Sequence, residues 1–171
     1  HDQTTASSLQ SSWFFYSKAC NSAELYAGNA ERYGGAKWLA SSLGNDMSLL
    51  QLLDTPPPEA EFAGWDAGLL PVGSATAGLH HPRGDMQKIN TGVLKETAAC
   101  QVDLVNRSLQ CAPVGQPGGF YRVTVQSGAI EPASSGSPLF VGGKVMGTLT
   151  GGDAMCPAVG TQSIYGRLDQ A

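Results

Sequence analysis

The stretch Glu131-Pro132-Ala133-Ser134-Ser135-Gly136-Ser137-Pro138 places serines between small residues, directly before the apolar run Leu139-Phe140-Val141. A hydroxyl presented that way can act as a nucleophile. Small neighbours let a substrate carbonyl approach, and successive backbone N–H groups can converge on the oxyanion that attack creates. The same composition also makes an ordinary turn. Two other residues could serve the chemistry of Ser135. Asp46 precedes the apolar run Met47-Ser48-Leu49-Leu50-Gln51-Leu52, where a carboxylate can orient a base or simply cap a turn. His1 could be that base, or no more than the residue left by a cut. In chain order the three run histidine, aspartate, serine.

The elements that must position these residues read as short strands. Apolar or alternating runs lie at residues 12–16, 47–53, 62–65, 77–80, 86–89, 93–105, 120–125, 139–141, 145–150 and 163–167, separated by turn residues. The run 47–53 reads as a buried strand. No long amphipathic helix and no fixed-period repeat is evident. With Gly 22 and Pro 10, this pattern predicts an all-β chain built as a sandwich or barrels. Pro56-Pro57-Pro58 can continue neither a helix nor a central strand, and predicts a connector between a first unit at 1–57 and a second at 58–171.

Composition limits the partners. The 171 residues are 42% hydrophobic, enough for a core, but only 14% charged, with a net charge of −4. An acidic chain without a basic face is not expected to bind nucleic acid. No apolar run approaches the roughly 20 residues of a membrane span, so no membrane partner is expected. His80 and His81 precede Pro82 without a third ligand at metal-binding spacing, and read as a turn carrying one packed histidine; no metal or other cofactor is expected. Cys100 and Cys111 flank a hairpin with its turn near Asn106, which suits a cross-strand disulfide. Asn106-Arg107-Ser108 fits a glycosylation acceptor pattern but reads as that turn. Four cysteines, low charge and abundant Ser, Thr and Gly suit a secreted protein. The chain begins at His1 without an initiator methionine and is read as a processed chain or a fragment.

Several segments, taken in order, resemble the bacterial lysyl endopeptidase branch of the chymotrypsin-like serine proteases. They are Asn45-Asp46-Met47-Ser48-Leu49-Leu50, Phe62 to Asp66, His80-His81-Pro82, Glu131 to Pro138, Gly151 to Cys156 and Tyr165-Gly166-Arg167. The resemblance covers nearly the whole chain and reaches His1, which aligns with the family's catalytic histidine. It implies a trypsin-like double antiparallel β-barrel, with the first barrel N-terminally incomplete in this chain. It also implies a secreted bacterial serine endopeptidase, a monomer acting on protein or peptide substrates through an acyl-enzyme. His1, Asp46 and Ser135 would be the triad, and the N–H groups of Ala133 and Ser135 the oxyanion hole. Thr150, Gly151, Gly152 and Ser163 would bind substrate. The alternative is a non-catalytic relative that only binds peptide, or an inactive fragment.

Departures from the family pattern sharpen these expectations. Ala133 stands where the family has glycine, and is strained if the position requires a positive φ. Ser134 replaces the aspartate that animal relatives use to pair with a new N-terminus. Asp2 replaces a cysteine. Cys20 and Cys156 match family cysteines whose partners lie upstream of the catalytic histidine, so no Cys20–Cys156 bridge is expected. Ser163 falls where lysyl endopeptidases carry an aspartate before the Tyr-Gly-Arg motif. A hydroxyl cannot supply the charge that discriminates an ammonium, so lysine preference is not carried over. Asp153 or Glu131 could supply charge near the pocket, or be surface acids.

Overall fold

Six antiparallel strands close on themselves in the computed structural model, which describes residues 2–103, 106, 108–113, 118–153 and 158–171. The chain divides into two compact units, one of residues 1–42 and 48–62, the other of residues 43–47 and 63–171.

The second unit holds the closed barrel. Its strands are β6 (Ala75–His80), β7 (Lys88–Asp103), β9 (Phe120–Ser127), β12 (Gln162–Arg167), β11 (Lys144–Gly152) and β10 (Pro138–Val141), in that spatial order. Closure comes from β10, which pairs with β11 on one edge and returns to β6 through Leu139↔Gly78 and Phe140↔Ala77 on the other. β5 (Gly64–Trp65) adds a short parallel pairing to β11, and β8 (Ser108–Pro113) folds back on β7. Alternation decides which faces turn inward. In β9, Tyr121, Val123 and Val125 are buried while Arg122 and Thr124 are only partly covered. Leu70, Leu94, Tyr121, Val123, Ile130, Leu139, Met146, Leu149 and Tyr165 form the core.

The β7–β8 hairpin carries a disulfide between Cys100 and Cys111, directly opposite in the register, as their spacing predicts. Among the described residues β8 pairs with β7 alone, so this bond ties the two strands of that arm together. Replacing both cysteines by alanine is expected to lower the unfolding free energy by about 3 kcal/mol for a loop of this length, read from the urea midpoint. Cys20 has a free thiol, and Cys156 lies outside the described residues.

The first unit contains α1 (Gln3–Ser7), the pair β1 (Ser11–Trp13) with β2 (Ala30–Arg32), and the pair β3 (Ala36–Ser42) with β4 (Met47–Leu52). Asp2 caps α1, its Oδ1 accepting the Thr5 N–H at 2.9 Å, and those Thr5 bonds hold its carboxyl below the usual range. The strand expected at 47–53 forms, but it is not buried. Leu49 in β4 is 60% exposed and Leu53 just beyond it 63%; among the described residues β4 pairs with β3 alone, in a two-stranded sheet.

Candidate active site

Ser135 stands at the tip of a turn stitched to β11. Gly136 N–H donates to the Leu149 carbonyl at 2.7 Å, Leu149 N–H to the Ser137 carbonyl at 2.8 Å, and Ser137 N–H to the Ser134 carbonyl at 3.3 Å. The Ser135 hydroxyl is exposed and donates to the Thr150 carbonyl at 3.3 Å. The register of β11 against β12 slips between Leu149 and Gly151, leaving Thr150 as the extra residue of a bulge. Bulges re-aim backbone groups and recur beside functional sites. Beyond it, Gly151 and Gly152 pair with Ile164 and Ser163.

Ala133 adopts φ +70°, the left-handed region in which a side chain costs about 1 kcal/mol. A glycine at this position would be free of that strain. Among the described residues, the N–H groups of Ala133 and Ser135 donate to no protein acceptor, whereas the intervening Ser134 N–H bonds to the Glu131 carbonyl at 3.0 Å. Two outward donors therefore alternate with one inward donor.

Asp46 is exposed, at φ +52°, in the turn before β4. Its predecessor fixes that turn. Asn45 is 1% exposed and donates through Nδ2 to the Arg167 carbonyl at 2.9 Å. Arg167, itself buried, donates to both carboxylate oxygens of Asp169 and to the Gly118 carbonyl, and lies 5.4 Å from the Tyr121 ring centroid. Gly166 completes the anchor. A Cβ there would sit 2.0 Å from the Asn45 carbonyl oxygen, so only glycine lets the two chains approach. Gly166→Ala is expected to displace the Asn45–Asp46 turn. A loss of at least about 2 kcal/mol in stability, with a larger loss of any activity depending on Asp46, is the expected outcome, measured by denaturation and kcat/KM.

A cavity of about 860 Å³ brings several predicted residues together: Asp46, Ala133, Ser135, Thr150, Gly151 and Gly152 all line it. Ser163 is fully buried, while its neighbours Gln162 and Ile164 form the wall. His1 lies outside the described residues. Of the two acids considered for the pocket, Asp153 lines the cavity and its Oδ2 accepts the Gln162 N–H at 3.0 Å. Glu131 instead pairs with Arg83 at 3.0 Å. Asp103 and Arg122 also line the cavity, Arg122 being paired with Glu96 at 2.8 Å.

Residues carrying no chemistry in the sequence reading hold the site. Asn45, Gly166 and Arg167 were visible only as parts of motifs. His80 is the one packed histidine expected of its pair, 1% exposed at the end of β6, with Nδ1 2.9 Å from the Ser134 hydroxyl oxygen. Burial is the main reason its imidazole titrates below the ordinary 6.5; the neighbouring His81 adds to this and Glu131 opposes it. Among the described residues no group of three or more metal-ligating side chains occurs.

The closed barrel and the serine turn on β11 define a chymotrypsin-type protease fold, and solved structures of that class share it. The active form of the Rv3671c protease of M. tuberculosis superposes with a TM-score of 0.57 at 16% identity, covering 83% of this chain and 59% of that one. Nocardiopsis protease gives 0.52 at 15% identity, covering 83% and 73%. The family model described as lysyl endopeptidase, C-terminal domain, matches residues 1–166, and the chain belongs to that family. The lysyl endopeptidase of Pseudomonas aeruginosa is 32% identical over 168 residues. That alignment takes in 94% of this chain and 34% of the relative, so the chain spans about a third of that protein's length.

Proposed function

We propose that this chain is the catalytic part of a secreted bacterial serine endopeptidase, acting as a monomer through His1, Asp46 and Ser135. The observation that carries the reading is the meeting of Asp46, Ser135, the free N–H groups of Ala133 and Ser135, and the Thr150–Gly152 segment around one cavity.

The Ser135 hydroxyl oxygen attacks the scissile carbonyl carbon while His1 takes its proton. The oxyanion is held by the Ala133 and Ser135 N–H groups. Collapse of the tetrahedral intermediate breaks the C–N bond, and His1 returns the proton to the leaving amine. Water, deprotonated by His1, then attacks the acyl-enzyme, releasing the acid and restoring Ser135. Asp46 fixes the imidazole tautomer and stabilises the imidazolium. The edge of Thr150, Gly151 and Gly152 accepts the substrate backbone as an added strand. The Cys100–Cys111 bond suits an oxidising compartment, which supports secretion.

Ser163 in place of a carboxylate, and an Asp153 that is exposed and therefore screened, argue against confinement to lysine. Incubating the full-length protein with a mixed peptide library is expected to give internal cleavage at more than one residue type. Cleavage after lysine alone contradicts the specificity. Peptide capture without cleavage contradicts the endopeptidase reading and favours a binding relative.

A further inference from the structure

The segment from His80 to Gly84 touches the serine turn at three places that the steps above do not use. Nδ1 of His80 meets the Ser134 hydroxyl at 2.9 Å, and that same oxygen accepts the Glu131 N–H at 3.2 Å. Arg83 N–H donates to the Pro132 carbonyl at 2.7 Å. Arg83 Nε donates to Glu131 Oε1 at 3.0 Å. Glu131, Pro132 and Ser134 are thus each held by one short segment, and Ala133 is bridged over.

The burial of these groups separates their roles. Arg83 is largely exposed, and an exposed ion pair holds little. His80 and Ser134 are each 1% exposed. Nε2 of His80 is buried and has no hydrogen-bond partner among the described residues. An unpaired buried nitrogen is unfavourable, so an apolar side chain would serve the core better at this place. What the imidazole adds is its other nitrogen, which reaches the residue before Ser135. The backbone on both sides needs holding: Arg83 at φ +55° and Ala133 at φ +70° are left-handed, and such strain persists only where the surroundings impose it.

We propose that His80 is a positioning residue of the serine turn: through Ser134 it fixes the conformation that presents the Ala133 and Ser135 N–H groups. This rests on the endopeptidase reading. A hydroxyl paired with a buried imidazole makes the link within the folded unit, with no need for a terminal ammonium.

The test uses variants of the full-length protein and a peptide amide substrate. His80→Asn carries an amide on the carbon that carries Nδ1, and keeps a polar partner for Ser134. His80→Leu has similar bulk and no such partner. The expected result is a kcat lower by between about tenfold and a hundredfold in His80→Leu, with KM within about threefold, and recovery of most of that loss in His80→Asn. A packing role alone would move the melting temperature and leave kcat unchanged. A folded His80→Leu with wild-type kcat overturns the proposal, and so does a His80→Asn no better than His80→Leu. Where His80→Leu does not fold, Ser134→Ala cuts the contact from the other side: a matching loss of kcat supports the role, and an unchanged kcat overturns it. Absence of hydrolysis and of a fluorophosphonate adduct in the wild-type protein is instead failure of the endopeptidase reading. The contact is then read from the Ala133 and Gly136 amide resonances, which shift in whichever of the two contact-removing variants folds if the contact sets the turn. Unmoved resonances overturn it.

Discussion

Replacing Ser135 by alanine is expected to lower kcat for peptide hydrolysis by about 10⁶-fold, on the scale that loss of a serine nucleophile produces. The loss is expected in chemistry rather than in folding or binding. Ser135 is exposed, and its hydroxyl makes one long bond, 3.3 Å to the Thr150 carbonyl. Removing that bond costs at most about 1 kcal/mol of stability. The turn stays in place because Gly136 and Ser137 hold it through backbone bonds that alanine retains. Peptide affinity is expected to persist, since the exchange leaves the proposed binding edge, Thr150–Gly152, untouched. The checks are kcat and KM on one peptide amide, with peptide binding to the variant measured separately.

The second large effect belongs to Asp46. Asp46→Asn is expected to lower kcat by about 10⁴-fold, because a carboxamide presents N–H where the imidazole must donate, and so favours the wrong tautomer. The exchange isolates that effect. Asn tolerates the left-handed backbone as well as Asp does, so φ +52° at this position adds no strain. The side chain is exposed, and the turn is held by the neighbouring Asn45 through Arg167. Stability should stay within about 0.5 kcal/mol of wild type. A fall in kcat with an unchanged urea midpoint is the expected pair of readings.

The barrel was legible where strands alternate against a core. Phe120 to Val125 carries the alternation and forms β9, whereas Ser163 to Arg167 is buried throughout and is legible as a strand from its Ile164-Tyr165 pair between turn residues. Other elements hide because their residues answer to neighbours distant in sequence. Asn90-Thr91-Gly92 reads as a break between two strands, yet β7 runs unbroken from Lys88 to Asp103. Gly92 sits in that strand because a Cβ would lie 2.6 Å from the Thr124 carbonyl oxygen, and the register slips there between Thr91 and Gly92. The run Ser12 to Tyr16 suggested a longer strand than forms; β1 stops at Trp13, and Phe14 turns to φ +56°. Ala36–Ser42 forms β3 although Trp38 and Leu39 stand there between a lysine, alanines and serines of low β-propensity, too short an apolar run to mark a strand. The burial of Leu49 was unreadable for a different reason: alternation says which face is apolar, not whether anything covers it.

The candidate site divides in the same way. Residue types and order marked Asp46 and Ser135, and the fold places both on one cavity. The supports around them were motifs without roles. Tyr165-Gly166-Arg167 gives the Asn45 turn room and an anchor, and His80 joins the serine turn at Ser134. Such contacts span from 54 residues in the second case to 122 in the first, and no local pattern encodes them.

The central claim is that Ser135 is a nucleophile activated by His1. Treating the full-length protein with a fluorophosphonate and mapping the adduct by mass spectrometry tests it most directly. A single adduct on Ser135, lost in His1→Ala, is the predicted result. A folded protein that stays unlabelled, or one labelled on another serine, contradicts it.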